Sequence, residues 1–137
     1  MQHKNIIITG ATDGIGLAAA KSIAKKGYHV SLVGRNSEKG KKALEAIIEH
    51  SGNENLDFFE CDLSLVTNVK DLADRIKQKH SKIDVLLNNA GGANKTKQIT
   101  SEGLEKTFAT NQMNYFVLST ELLNCLLYTS PSPRDSC

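Results

Sequence analysis

A chain of 137 residues, 39% hydrophobic and 23% charged, is long enough for one globular, soluble domain with a buried core and is not composed like a disordered protein. Its 17 basic and 15 acidic side chains leave a formal charge of +2, too small to argue for a nucleic-acid or membrane surface, so a small-molecule partner is expected. The apolar run near the N-terminus, Ile6-Ile7-Ile8, is far shorter than a signal-peptide core or membrane span, which leaves the cytoplasm as the default location.

Cys61, Cys125 and Cys137 are widely spaced and form no C-x-x-C pair, so reduced thiols are expected, with neither a disulfide framework nor a zinc site. His3, His29, His50 and His80 show no ligand spacing; they read as surface positions, and no metal is assigned. Asn94-Lys95-Thr96 matches the glycosylation tripeptide but reads as a chance match without a secretory signal.

The stretch from Ile6 to Gly16 organises the chain. Three isoleucines favour a buried strand, and Gly10, Gly14 and Gly16 allow a tight turn with bare backbone. The helix that follows points free N–H groups and its positive dipole end at that turn, a geometry that suits a pyrophosphate. Ile15, Ala18, Ala19, Ile23 and Ala24 recur at helical spacing, with Gly27 at the helix end.

Tyr28 to Val33 reads as a second strand that stops at Gly34-Arg35-Asn36. Ser37 is the expected N-cap of a second helix, in which Leu44, Ile47 and Ile48 share a face and which ends before Gly52. Leu56 to Glu60 supplies a third strand, followed by Asp62-Leu63 and a third helix from about Ser64 to His80, with Val66, Val69, Leu72, Ala73 and Ile76 as its apolar stripe. Asp84 to Leu87 is a fourth strand, ending in Asn88-Asn89-Ala90-Gly91-Gly92. From about Ser101 to Leu127 the pattern is helical, with Leu104, Phe108, Phe116, Val117 and Leu122 as candidate buried positions.

This alternation predicts an α/β fold with a doubly wound, Rossmann-like parallel sheet, in which ligands bind at strand carboxyl ends. Thr9 to Gly16, Gly34-Arg35, Asp62-Leu63 and Asn88 to Gly91 are therefore expected to converge on one crevice. Residues 1–127 read as an incomplete dinucleotide-binding domain, truncated after the fourth strand and its following helix. At residues 128–137 the composition turns to serine and proline, which reads as a disordered or appended tail. Leu86 and Leu87 would then lie on an exposed edge, where self-association is expected.

The order T-G-x-x-x-G-x-G after the first strand, an aspartate after the third and N-N-A-G after the fourth resembles the short-chain dehydrogenase/reductase family. That resemblance implies that Gly10, Thr12, Asp13, Gly14, Ile15 and Gly16 lie along the pyrophosphate and adenosine ribose of a nicotinamide dinucleotide. It further implies that Asp62 and Leu63 border the adenine, and that Asn89, Ala90 and Gly91 border the second ribose and the nicotinamide. Asn111 resembles the family's active-site asparagine, which helps hold a water in a proton relay. Glu102-Gly103 and Phe116-Val117-Leu118 are similar to the retinol-dehydrogenase-like branch, with Asn114 in place of a glycine common there.

Cofactor choice turns on the end of the second strand, where an acidic residue would bond the ribose 2′-hydroxyl of NAD. Gly34 stands there, and Arg35, with Asn36 beside it, can pair with a 2′-phosphate, so NADP is expected over NAD. Asp13 departs from the basic or hydroxyl residue that NADP-preferring relatives often carry.

The family's catalytic serine and Y-x-x-x-K pair do not occur in the chain, since Tyr115 is followed four residues later by Ser119. The expected function is interconversion of a carbonyl and an alcohol with NADP(H), by an enzyme of which these residues hold the cofactor without turning over. The alternative is a nonenzymatic NADP-binding or sensing module of the same fold. Expected partners are a small carbonyl or alcohol substrate and, for a full-length form, copies of itself; no nucleic acid and no membrane segment are expected.

Overall fold

The structure is a computed structural model that describes residues 4–91 and 96–127. His3, Gly92, Asn94, Lys95 and the 128–137 segment, with Cys137, lie outside the described residues, and so do the expectations placed on them. The chain forms two compact units, one drawn from Met1–Cys61 and Ile83–Ala90, the other from Asp62–Lys82 and Gly91–Cys137.

The first unit holds four parallel strands, β1 (Asn5–Thr9), β2 (His29–Gly34), β3 (Leu56–Glu60) and β4 (Val85–Leu87), in the order β3-β2-β1-β4. Ile7 of β1 aligns with Ser31 of β2 and with Leu86 of β4. Because β2 and β4 flank β1, the chain changes direction across the sheet at β1, and the carboxyl ends of β1 and β4 form the switch point where α/β sheets bind ligands.

One face of the sheet carries Ile6, Ile8, Val30 and Leu32, which pack against Ala20, Ala24, Ala43 and Ile47 of α1 (Gly14–Lys25) and α2 (Ser37–Ser51). Ile7, Thr9, Ser31 and Val33, on the opposite face, are also fully buried. Each buried isoleucine contributes about 1.5–3 kcal/mol, so the apolar run that marks β1 in the sequence also stabilises it in the fold.

The helices turn differently from the apolar spacing in two places. In α1 the buried residues are Gly16, Ala20 and Ala24, whereas Ile15 is 81% exposed and Ala18 is exposed. Gly16 sits against the Gly10 backbone, so the smallest residues face inward and the larger Ile15 faces out. In α2 the N-cap is Asn36 and not Ser37: the Asn36 Oδ1 accepts from the Lys39 amide at 3.0 Å. A methyl group at Gly40 would lie 2.5 Å from the Phe58 ring, so a glycine there lets α2 close on β3. Gly52, at φ 72°, ends the helix as expected.

Two further expectations are corrected. His29 is buried and not on the surface; its Nε2 lies 2.9 Å from Asp57 Oδ2 on the neighbouring strand. His80, at the end of α3 (Val66–Lys79), is buried too, whereas His50 is exposed. Cys61 is a buried thiol outside any disulfide, and Cys125 is buried as well.

In the second unit, α3 buries Val69, Leu72, Ala73 and Ile76, four of the five positions read from its spacing, and Val66 is half-buried. The long helix expected from Ser101 is interrupted. It comprises α4 (Lys106–Phe108), a π-turn (Ala109–Met113), α5 (Asn114–Glu121) and α6 (Leu123–Leu127). In the π-turn the Asn114 amide donates five residues back, to Ala109 O. The buried positions accordingly step from Ala109 to Asn114, then to Leu118 and Leu122. Phe116, expected inside, is 69% exposed, because the extra residue rotates the helix face beyond the π-turn; Phe108, also expected inside, ends α4 before that turn and is 42% exposed. Among the described residues no helix is long and apolar enough to cross a membrane.

Candidate functional site

Thr9 fastens the ends of β1 and β4 to each other. Its hydroxyl oxygen accepts the backbone amides of Asn89 and Ala90, each at 3.0 Å, and the Asn89 Nδ2 donates to Gly10 O at 3.1 Å. The Gly10 amide donates to Val33 O at 2.9 Å, tying the same turn to β2. The turns after β1 and β4 are thus fastened to each other by three hydrogen bonds.

These contacts leave no room for side chains. A methyl group at Gly10, where φ is 65°, would lie 2.7 Å from Ala90 Cα. One at Gly16 would run into Gly10 O and lie 2.5 Å from Asn89 Nδ2. Gly14 is different: φ is 56° and nothing lies within 4 Å of where a side chain would start. Packing explains Gly10 and Gly16; at Gly14 the left-handed backbone alone asks for glycine.

Gly14 to Gly16 form the first turn of α1, which has no side-chain cap. Asp13 occupies the N-cap position with an extended backbone, makes no capping hydrogen bond, and is exposed. The opening amides of a helix need acceptors, and at α1 no side chain caps them. An anionic oxygen fits that place by charge, by hydrogen bonding and by the space beside Gly14. The residues present therefore fit a phosphate-bearing cofactor.

At the end of β2, a methyl group on Gly34 would lie 2.9 Å from Thr12 Cγ2 and 3.4 Å from the Phe58 ring. Thr12 is half-buried, so the β1 turn folds over the end of β2 and excludes a side chain there. Arg35 is exposed and makes no ion pair among the described residues. Asn36 is exposed and spends its Oδ1 on capping α2.

The second unit holds the remaining positions. Asp62 is exposed, and its Oδ1 accepts from the Ser64 amide at 3.0 Å and the Ser64 hydroxyl at 2.7 Å; Leu63 is buried. Gly91 and Asn111 come together: a methyl group at Gly91 would lie 3.2 Å from Asn111 Oδ1 and 3.7 Å from the Tyr115 hydroxyl. Asn111 stands in the middle of the π-turn, and such turns recur at functional sites. With the Asn114 amide drawn to Ala109 O, Thr110 O loses its usual α-helical donor, and the Asn114 Nδ2 donates to it instead.

Two acidic residues complete the unit. The Glu102 carboxylate accepts from the Val66 amide at 2.5 Å, the Thr67 amide at 2.9 Å and the Thr67 hydroxyl at 2.6 Å. The Thr67 hydroxyl, then the backbone bonds, hold its pKa below the usual carboxylate value. Glu105 accepts from the Thr107 and Phe108 amides at 2.8 and 2.9 Å, and these bonds lower its pKa as well. Neither Thr9 nor Glu102 has a role legible in the sequence; a threonine hydroxyl at the buried end of a strand, which must find a partner, is the one available signal.

A parallel sheet in the order β3-β2-β1-β4, with an uncapped helix behind a glycine turn at its switch point, defines a doubly wound, Rossmann-like α/β protein. The profile of the family described as short chain dehydrogenase matches residues 4–132. The chain belongs to the short chain dehydrogenase family. It is 37% identical to the polyprenol dehydrogenase of Homo sapiens over 95% of its length, and 31% identical to retinol dehydrogenase 13 of Homo sapiens over 94%. It spans 39% of the length of each of these relatives. A short chain dehydrogenase of Shigella flexneri, solved complexed with NADP, is 31% identical with a TM-score of 0.78, covering 95% of this chain and 56% of that one.

Proposed function

We propose that the chain is the dinucleotide-binding part of an oxidoreductase that interconverts a carbonyl and an alcohol with NADP(H). The observation that carries this reading is the uncapped first turn of α1 behind Gly10 and Gly14. In this reading the amides of Gly14, Ile15 and Gly16 bind the pyrophosphate, and Thr12 and Asp13 line its path. Asp62 and Leu63 border the adenine, Asn89, Ala90 and Gly91 border the second ribose and nicotinamide, and Asn111 holds a water for proton transfer.

NADP is favoured over NAD because Gly34 offers no carboxylate to the ribose 2′-hydroxyl, while the exposed Arg35 guanidinium, next to Asn36, can pair with a 2′-phosphate. The structural neighbour complexed with NADP supports the same choice. When bound, the cofactor supplies or takes up the hydride. A carbonyl receiving hydride also needs a proton donor, and a tyrosine paired with a lysine four residues on is absent from these residues, Tyr115 being followed by Ser119. The chain by itself therefore binds the cofactor without turning it over.

Fluorescence titration with NADPH and NADH tests the reading. NADPH is expected to bind more tightly, and Arg35→Ala is expected to remove most of the difference. Tighter NADH binding that Arg35→Ala leaves unchanged contradicts it.

A further inference from the structure

We infer that Glu102 is a positioning residue for nucleotide binding: from the loop before α4 it caps α3 and so holds the Asp62–Leu65 turn at its base. The inference rests on the nucleotide-binding reading above, in which Asp62 and Leu63 stand on the adenine side.

The α3 helix has no cap of its own. Its N-cap position is Leu65, whose side chain cannot accept a hydrogen bond, and its first turn contains no acidic residue. The two opening amides, of Val66 and Thr67, donate instead to one carboxylate 35 and 36 residues further along the chain. The Thr67 hydroxyl donates to the same carboxylate at 2.6 Å.

The Glu102 loop is itself closed. Gly103, at φ 82°, lets its amide return to Thr100 O at 2.9 Å, Thr100 and Leu104 pair at 2.7 Å, and the Lys106 amide donates to Gln98 O at 2.8 Å. Upstream of α3, Asp62 is bonded to Ser64 through its side chain and to the Leu65 amide through its carbonyl, at 3.4 Å. The turn from Asp62 to Val66 is therefore fastened at both ends, internally by Asp62 and across the chain by Glu102. Releasing Glu102 leaves α3 to fray at the residues that continue directly into that turn.

Binding of adenosine 2′,5′-bisphosphate and of nicotinamide mononucleotide, together with amide hydrogen exchange over residues 62–67, tests this on the full chain. In Glu102→Ala, exchange at Val66 and Thr67 is expected to accelerate and the adenosine bisphosphate to bind roughly fivefold more weakly, the factor one lost helix cap supplies. Binding of nicotinamide mononucleotide stays unchanged. Faster exchange with unchanged adenosine bisphosphate binding makes Glu102 a structural cap only and overturns the inference. If Glu102→Ala does not fold, Thr67→Val, which keeps the carboxylate and removes one donor, decides by the same pair of readings with a smaller loss expected. A wild-type chain that binds no adenosine bisphosphate overturns the nucleotide reading itself and this role with it.

Discussion

The Thr9 hydroxyl oxygen accepts the amides of Asn89 and Ala90 at 3.0 Å each, joining residues 80 and 81 positions apart. The side chain is fully buried, so no water replaces it. Thr9→Val keeps the shape and removes the acceptor, and the unmet donors are expected to lower stability by about 1–3 kcal/mol. Thr9→Ser, which keeps the oxygen, is expected to lose much less. Denaturant unfolding of the two variants makes the comparison.

Gly34 faces Thr12 Cγ2 at 2.9 Å from where a methyl group would stand. Gly34→Asp is therefore expected to lose about 1–3 kcal/mol from overpacking. The added carboxylate should also repel a 2′-phosphate and reduce NADPH binding relative to NADH. Thermal melts and paired cofactor titrations read the two effects separately.

The π-turn gives a third expectation. Asn114 is buried, and its Nδ2 serves the Thr110 carbonyl left over by the five-residue step. Asn114→Ala leaves that carbonyl unmet and is expected to destabilise the chain by about 1–3 kcal/mol, measured by denaturant unfolding.

The pH dependence follows from Glu102 and Glu105. Hydrogen bonds hold both carboxyls below their ordinary value of 4.5 in the folded state. Their contribution to stability is thus present above the unfolded value and is lost as pH falls through the lowered folded one. The melting temperature of the wild type is expected to fall with acid in that window. Glu102→Gln, with one titrating carboxylate removed, is expected to fall less steeply.

Much of this fold is written locally. The Ile6-Ile7-Ile8 run, the glycines after it, the stripe from Val69 to Ile76 and the stop at Gly52 each depend on residues within a few positions, and strand and helix spacing reports them. The segment after Ser101 is not, because a single five-residue step at Asn111 shifts every later position on the helix. The candidate site divides in the same way. Gly10, Gly14, Gly16 and Arg35 are visible as a strand-end pattern. Thr9 and Glu102 act on amides 35 to 81 residues away, and no local spacing points to them.

The measurement closest to the central claim is the backbone amide spectrum of the chain as NADP is added. Binding at the first turn of α1 is expected to shift the Gly14, Ile15 and Gly16 amide resonances most, with Arg35 and Asn89 following. NADP that binds while those three amides stay in place, or that does not bind at all, contradicts the account.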